Sequence, residues 1–221
     1  MIGVPEVGTP DAAAAPASWT IVIPVKAPAS AKTRLAAAVP PALRAELARA
    51  FALDTIAAAL AAGSVSRVIV VGDDPSMAGR AEFLVEPEGA QGLTAAIRHG
   101  VGRARSGSNV PVGVLLGDLP ALTPDELDAA LDAAAGHPLA FVRDADGTGT
   151  TLATATWGTA FEPRFGLDSA ALHVADGYVE LAASAGLTHD VDTVEGLAEA
   201  LALGVGEYTS AVAPRISQVG S

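Results

Sequence analysis

The sequence predicts an α/β fold of three layers, with a mixed, mainly parallel sheet between two layers of helices. Apolar, β-branched runs of strand length alternate with longer segments of helical periodicity along most of the chain. Such alternation is typical of strand–helix–strand units, whose strands pair in parallel. After Leu139 β-rich segments follow one another, so we expect the sheet to be mixed. A chain rich in Ala and Val, with few aromatic residues, suits close packing of helices on a sheet.

The individual elements are predicted from residue type and from Gly and Pro residues, which mark the ends of helices and strands. Strands are expected at 19–25, 67–72, 82–86, 111–117, 139–143 and 150–156, while 178–182 fits a strand or a helix. Helices are expected at 40–62, 93–105, 123–136, 166–176 and 193–203. The helix at 123 has the clearest start, because Thr123, Pro124 and Glu126 supply an N-cap, a first-turn Pro and an acid at the third position.

Length and composition limit the possible functions. The 221 residues suffice for one large domain, and the lack of Cys excludes disulfides, thiolate metal sites and Cys nucleophiles. A net charge of −12 argues against nucleic acid and anionic membrane surfaces as partners. No apolar run is long enough to span a membrane, and residues 1–17 do not resemble a signal peptide, so we expect a cytoplasmic protein. We predict a disordered tail at 1–17, one domain at 18–205 and an irregular tail at 206–221.

A carboxylate follows the most apolar strand segment. Residues 112–116 lead directly into Gly117 and Asp118. In open α/β sheets, ligands bind outside the carboxyl ends of the strands, where a lone Asp can hold a divalent cation beside a phosphate. The other interpretation is that Asp118 caps a turn ahead of Pro120.

A second acidic element lies near the C-terminus. Asp190 and Asp192 flank Val191, so in extended chain both carboxylates point to one side and Val191 faces the core. Thr193 can cap the following helix, and a capping role explains one of the two Asp residues but not both. Together with Asp118, the pair predicts an oxygen-ligated site for a hard cation such as Mg²⁺.

Three of the thirteen basic residues fall in one short loop after the first strand, namely Lys26, Lys32 and Arg34. A basic loop at the carboxyl end of a strand suits a polyphosphate, because Lys supplies point charges and Arg a fork of donors. A solvated surface loop is the alternative. The loop matches neither the P-loop pattern nor the dinucleotide-binding Gly pattern.

Gly-containing loops precede two helices and one strand. Gly92 lets the backbone approach a flat ligand, and Thr94 can bond a base edge, although an ordinary loop with an N-cap explains both. The loop 146–151 offers backbone N–H groups and hydroxyls to a phosphate or carboxylate, or is simply a hairpin turn. Ser169 begins a helix whose N-terminus favours anions, and His173, one turn later, fits a structural role.

These motifs together resemble those of the phospholactate/phosphoenolpyruvate guanylyltransferases of coenzyme F420 biosynthesis. The resemblance extends from about residue 19 to residue 203. Its more specific parts are the Lys-x-x-x-x-x-Lys-x-Arg-Leu loop and Gly147-Thr148-Gly149-Thr150. The other matching motifs are Ile23-Pro24-Val25-Lys26, Gly92-Leu93-Thr94, Gly117-Asp118-Leu119-Pro120, Phe165-Gly166-x-x-Ser169-x-x-x-His173 and Asp190-Val191-Asp192-Thr193.

The resemblance implies a nucleotide-diphospho-sugar transferase fold, GTP as donor and Mg²⁺ as cofactor. Asp118 would hold the metal and act in catalysis, with Asp192 as the second ligand and Asp190 as its alternative. The nucleotide would be bound by Lys26, Lys32, Arg34, Gly92, Thr94 and Asp118, with both lysines also catalytic. The acceptor would be held by Thr150, Gly166 and Ser169. Thr94 and Thr151 stand where family members usually carry Asn.

The expected reaction is one in-line displacement, in which a phosphate oxygen of phosphoenolpyruvate attacks the α-phosphorus of GTP and pyrophosphate leaves. An ionised phosphate needs no general base, so catalysis would consist of positioning and charge neutralisation. The acceptors 2-phospho-L-lactate and 3-phosphoglycerate are alternatives, and the product would pass to the next transferase of the pathway. Other readings are a molybdopterin guanylyltransferase, a sugar-nucleotide synthase or a non-catalytic GTP-binding protein.

Overall fold

Seven strands in one sheet organise the part of the chain that the computed structural model describes, residues 18–25, 39–87, 92–107 and 110–216. The strands are β1 (Trp19–Pro24), β2 (Val65–Gly72), β3 (Glu82–Val85), β4 (Val112–Leu115), β5 (Leu139–Arg143), β6 (Thr150–Ala155) and β7 (Val179–Glu180). The helices are α1 (Pro41–Ala61), α2 (Leu93–Arg105), α3 (Pro124–Ala134), α4 (Ser169–Ala175), α5 (Ala185–Thr188), α6 (Val194–Leu203) and α7 (Glu207–Val212), with 3₁₀ turns at Pro75–Met77 and Ala213–Arg215.

The strand order is β3-β2-β1-β4-β6-β5-β7. Every neighbouring pair is parallel except those of β6, which runs antiparallel to both β4 and β5. The predicted mixed, mainly parallel sheet is therefore confirmed. Because β6 runs against its neighbours, its first residue, Thr150, lies at the sheet edge where β4 and β5 end. The topology thus brings Thr150 and the residues after β4 to the same edge.

Helices cover both faces of the sheet, which confirms the three layers. Ile21 and Ile23 of β1 share one apolar cluster with residues of α1 and α3, whereas Val22 faces α2 and α4 across the other cluster. The packing of α2 is close, because a Cβ added at Gly100 would lie 2.3 Å from a methyl carbon of Val22. Within the described ranges, no helix is long and apolar enough to cross a membrane.

Helix α7 packs against α1, and residues of α1, α6 and α7 share a third apolar cluster. Residues 206–221 were expected to be irregular, and this expectation is wrong for the stretch that forms α7 and the turn after it. The cause is a distant cap: the buried carboxylate of Asp54 accepts the backbone N–H groups of Tyr208 and Thr209 at 3.0 and 2.9 Å. Burial raises the pKa of Asp54. Residues 1–17 lie outside the described ranges.

Two further elements differ in detail from the prediction. Helix α4 begins at Ser169 rather than at 166, because the preceding backbone has positive φ at Gly166 (121°) and Asp168 (53°). Segment 178–182, which fitted either element, forms the two-residue strand β7 beside β5. The start of α3 is as predicted, with Thr123 and Glu126 forming a reciprocal capping box.

Candidate active site

A cleft of about 550 Å³ opens at the edge of the sheet where β1, β4 and β5 end and β6 begins. Its walls come from the ends of these strands, the loop 144–149, residues 166–169, one side of α1 and the segment before α6. Polar and charged side chains line much of this surface. The position is the one that open α/β sheets use for ligands.

Three carboxylates meet on one side of the cleft. Asp118, Asp190 and Asp192 each offer a ligand oxygen, and these oxygens lie within 4.8 Å of one another. Two features of the chain produce this arrangement: Asp118 follows the buried strand β4, and Val191 is fully buried while its neighbours face the cleft. The N–H of Val191 donates to the carbonyl of Asp118 at 3.0 Å, which joins the two segments. Three hard oxygen donors at this spacing fit a divalent cation such as Mg²⁺.

Two buried hydroxyls lie on another wall of the same cleft. Thr150 and Ser169 are 3% and 1% exposed, and both line the cleft. Within the described residues, the Ser169 Oγ has no hydrogen-bond partner. Gly166 also lines the cleft, with its φ of 121° in a region that disfavours side chains. A buried donor without a partner is costly unless a ligand satisfies it, so this wall fits an anionic group.

The loop 144–149 is held in shape by its own side chains. The Asp144 carboxylate accepts the N–H groups of Thr148 and Gly149 at 2.9 and 2.8 Å, and Arg143 donates to the carbonyl of Gly147 at 2.9 Å. Arg143 also pairs with Glu180 of β7, which raises the pKa of the guanidinium and lowers that of the carboxyl. The N–H of Gly147 also donates to the carbonyl of Asp144, at 3.1 Å. The expectation that backbone N–H groups of this loop are free for a phosphate is therefore wrong for Gly147, Thr148 and Gly149.

The carboxylate of Asp144 explains the second glycine of the loop. A Cβ at Gly149 would lie 2.1 Å from Oδ2 of Asp144, so no side chain fits while that carboxylate holds the loop. Sequence reasoning missed Asp144. The available signal was an Asp at the start of a Gly-rich turn, because the short Asp side chain commonly accepts backbone N–H groups in turns.

His173 lies behind Thr150, fully buried in α4. Its ring is stacked on Phe141 at 5.3 Å between centroids and lies 4.7 Å from the ring of Tyr178. Burial lowers the pKa of His173 to about 4 and raises that of Tyr178 to about 12, so both are neutral near pH 7. The expected structural role thus agrees with its burial, but its Nδ1 also lies 3.0 Å from Oγ1 of Thr150.

The remaining predicted residues are those expected to bind the nucleotide. Lys26, Lys32 and Arg34 lie outside the described ranges, and in the sequence Lys26 follows Val25, which lines the cleft. Gly92 is the N-cap of α2 and Thr94 lies in its first turn; both are exposed, while Leu93 between them lines the cleft. The nucleotide contacts of these five residues stay predictions.

Comparison with known proteins gives the same fold. Residues 33–171 match the family model described as MobA-like NTP transferase domain. A solved structure from Desulfovibrio desulfuricans, assigned to the nucleotide-diphospho-sugar transferases, superposes with a TM-score of 0.63 at 18% identity, covering 82% of this chain and 85% of that one. A nucleotidyl transferase from Methanothermobacter superposes with a TM-score of 0.55 at 17% identity, covering 82% and 95%. At such low identity these two likenesses show the fold alone.

Sequence relatives are much closer. The phosphoenolpyruvate guanylyltransferase of Streptomyces coelicolor is 47% identical, with 91% of this chain and 99% of the relative covered. The proteins of the same name from Thermomonospora curvata and Sanguibacter keddieii are 48% and 43% identical, with 90% and 92% of this chain covered and 90% and 87% of the relatives. The chain therefore belongs to the phosphoenolpyruvate guanylyltransferase family of MobA-like nucleotidyltransferases.

Proposed function

We propose that this protein transfers the GMP moiety of GTP to the phosphate of phosphoenolpyruvate and releases pyrophosphate. The observation that carries the proposal is the position of two unlike groups in one cleft: three clustered carboxylates on one side and two buried hydroxyls on another. Carboxylates suit a cation that accompanies a triphosphate, and hydroxyls suit an anionic acceptor. The activity in the name of the relatives agrees with this division.

The metal is part of the proposal. Asp118, Asp190 and Asp192 would hold Mg²⁺, which when bound neutralises phosphate charge and orients the reacting oxygens. Asp118 and Asp192 are the ligands that the family resemblance predicts, and Asp190 is the third oxygen donor of the same cluster. Lys26, Lys32 and Arg34 would bind the triphosphate, with both lysines taking charge on the departing pyrophosphate.

The acceptor would lie against Thr150, Gly166 and Ser169. Hydroxyl donors satisfy phosphate or carboxylate oxygens, and the open backbone of Gly166 lets the acceptor approach the wall. The attacking phosphate oxygen is already ionised near neutral pH, so the chain need only position it in line with the α-phosphorus. None of these residues has to act as a general base.

Phosphoenolpyruvate is the acceptor that we propose, and 2-phospho-L-lactate and 3-phosphoglycerate are the nearest alternatives. All three carry a carboxylate and a phosphate, and they differ in the carbon skeleton between these groups. We place the product in coenzyme F420 biosynthesis, where the next transferase of the pathway would consume it.

The test is pyrophosphate release in the presence of Mg²⁺, with GTP, ATP and CTP each combined with each of the three phospho-acids. The next pathway enzyme and its flavin acceptor are added so that the product does not accumulate. We expect pyrophosphate release only when GTP is combined with phosphoenolpyruvate, and with none of the other substrate pairs. Release with a different phospho-acid would move the acceptor assignment, and no release with any pair, despite GTP binding, would refute the proposed function.

A further inference from the structure

Both ring nitrogens of His173 have defined neighbours. The backbone N–H of Arg164 donates to Nε2 at 3.0 Å, and Nδ1 lies 3.0 Å from Oγ1 of Thr150. The aromatic rings of Phe141 and Tyr178 pack against the imidazole, which is fully buried. The orientation of the ring is therefore fixed by packing and by hydrogen bonds at both nitrogens.

These neighbours determine which nitrogen carries the proton. A backbone N–H can only donate, so Nε2 must accept and has no proton in the neutral ring. The single proton of the neutral imidazole is then on Nδ1.

The tautomer fixes the role of the Thr150 hydroxyl. A protonated Nδ1 has no lone pair, so the hydroxyl cannot donate to it and can only accept from it. Within the described residues, no other hydrogen bond of this hydroxyl is present, and Thr150 lines the cleft. Its proton is therefore available to a ligand in the cleft, alongside the proton of the buried Ser169 hydroxyl.

We propose that His173 is a positioning residue, whose Nδ1–H holds the Thr150 hydroxyl as a donor toward an anionic oxygen of the phospho-acid acceptor. This inference rests on the proposed function, since it specifies how the acceptor wall of that site is oriented. His173 touches no reacting atom. It acts through Thr150, so its removal affects acceptor binding more than chemistry or GTP binding.

Two substitutions separate this role from simple packing. The amide of His173→Asn reaches about as far as Nδ1 and can still donate to Thr150, whereas the amide of His173→Gln reaches toward Nε2 and Arg164. We expect His173→Gln to raise the KM for phosphoenolpyruvate about tenfold, the effect of losing one oriented hydrogen bond to a charged group. The kcat and the KM for GTP should stay within about twofold. His173→Asn should restore most of the acceptor affinity, although both variants unfold at lower temperature than wild type.

A double-mutant cycle with Thr150→Val tests the connection directly. If His173 acts through the hydroxyl, His173→Gln adds no further rise in acceptor KM to a chain that already carries Thr150→Val. Equal KM effects of the Asn and Gln variants, an unchanged KM in His173→Gln, or additive effects in the cycle would overturn the proposal.

An NMR measurement on isotope-labelled histidine nitrogens keeps this test independent of activity. A proton on Nδ1 of His173 in the ligand-free wild type supports the proposal, and a proton on Nε2 overturns it. Absence of pyrophosphate release by wild type with phosphoenolpyruvate is a different outcome. It refutes the proposed function and with it the acceptor role of Thr150, whatever tautomer the spectrum shows.

Discussion

Replacing Asp190 with Asn is expected to make the metal-free protein more stable and the enzyme nearly inactive. The three carboxylates of the cleft have oxygens within 4.8 Å of one another. Two unit charges 4.8 Å apart repel by roughly 1 kcal/mol in water and by about 3.5 kcal/mol at an effective dielectric constant of 20. One substitution removes two of the three pairs, and hence roughly 2 to 7 kcal/mol of repulsion in these limits.

The three side chains are partly exposed and also have other interactions within the chain, so the net change in the free energy of unfolding lies at or below the lower limit of this range. We therefore expect a gain of about 1–2 kcal/mol in the free energy of unfolding without divalent cations. In Mg²⁺ the difference in free energy of unfolding between Asp190→Asn and wild type should become smaller or change sign, because wild type gains more stability from binding the cation. Turnover should fall on the order of a hundred- to thousandfold, as for loss of other groups that stabilise charge in a transition state.

The assay is urea unfolding with EDTA and with Mg²⁺, paired with pyrophosphate release. Asp132→Asn, which removes an exposed charge from α3, is the matched control and should change neither readout. Measuring Asp118→Asn and Asp192→Asn in the same way ranks the three side chains as ligands. Wild-type turnover in all three cleft variants, with Mg²⁺ leaving the unfolding of wild type unchanged, would refute the metal assignment.

Three further predictions concern packing, the acceptor loop and pH. Gly100→Ala should lower the free energy of unfolding in urea by about 1–3 kcal/mol, because its Cβ would lie 2.3 Å from a methyl group of β1. The control is Gly102→Ala on the same helix, which has open space around it and should be neutral or stabilising by up to about 1 kcal/mol. Gly149→Ala should displace Asp144 and raise the acceptor KM while the KM for GTP stays unchanged; equal effects on both substrates would contradict this. The pKa of His173 is about 4 in the folded protein and about 6.5 in the unfolded chain. As the pH falls from 6.5 to 4, the free energy of unfolding of wild type should therefore fall by about 3 kcal/mol relative to that of His173→Asn. Above pH 6.5 the difference in free energy of unfolding between the two proteins should be constant.

The sequence predicted those parts of the fold that local pattern determines. Strand β1 and helix α1 can be predicted from the sequence because their signals, residue type and Gly or Pro at the element ends, lie within a few neighbouring positions. The facing of Asp190 and Asp192 toward the cleft follows from alternation around the buried Val191. The proximity of these two residues to Asp118 was inferred from the rule that ligands bind where strands end.

The missed features depend on partners that are distant in sequence. Helix α7 is too short to be apparent from its own residues, and the carboxylate that caps it belongs to Asp54, more than 150 residues earlier. The short strand β7 is defined by its pairing with β5. The role of His173 depends on Thr150 and Arg164, whose positions relative to α4 only the folded chain brings together.

The most direct test of guanylyl transfer is to follow the label from GTP that is radiolabelled at either the α- or the γ-phosphorus. Wild type is incubated with Mg²⁺ and phosphoenolpyruvate, and Asp118→Asn is the control. We expect the α-label in a new compound that contains the acceptor and the γ-label in pyrophosphate, with neither product formed by the variant. An α-label found only in GTP or GMP, or a γ-label on the acceptor, would contradict the account.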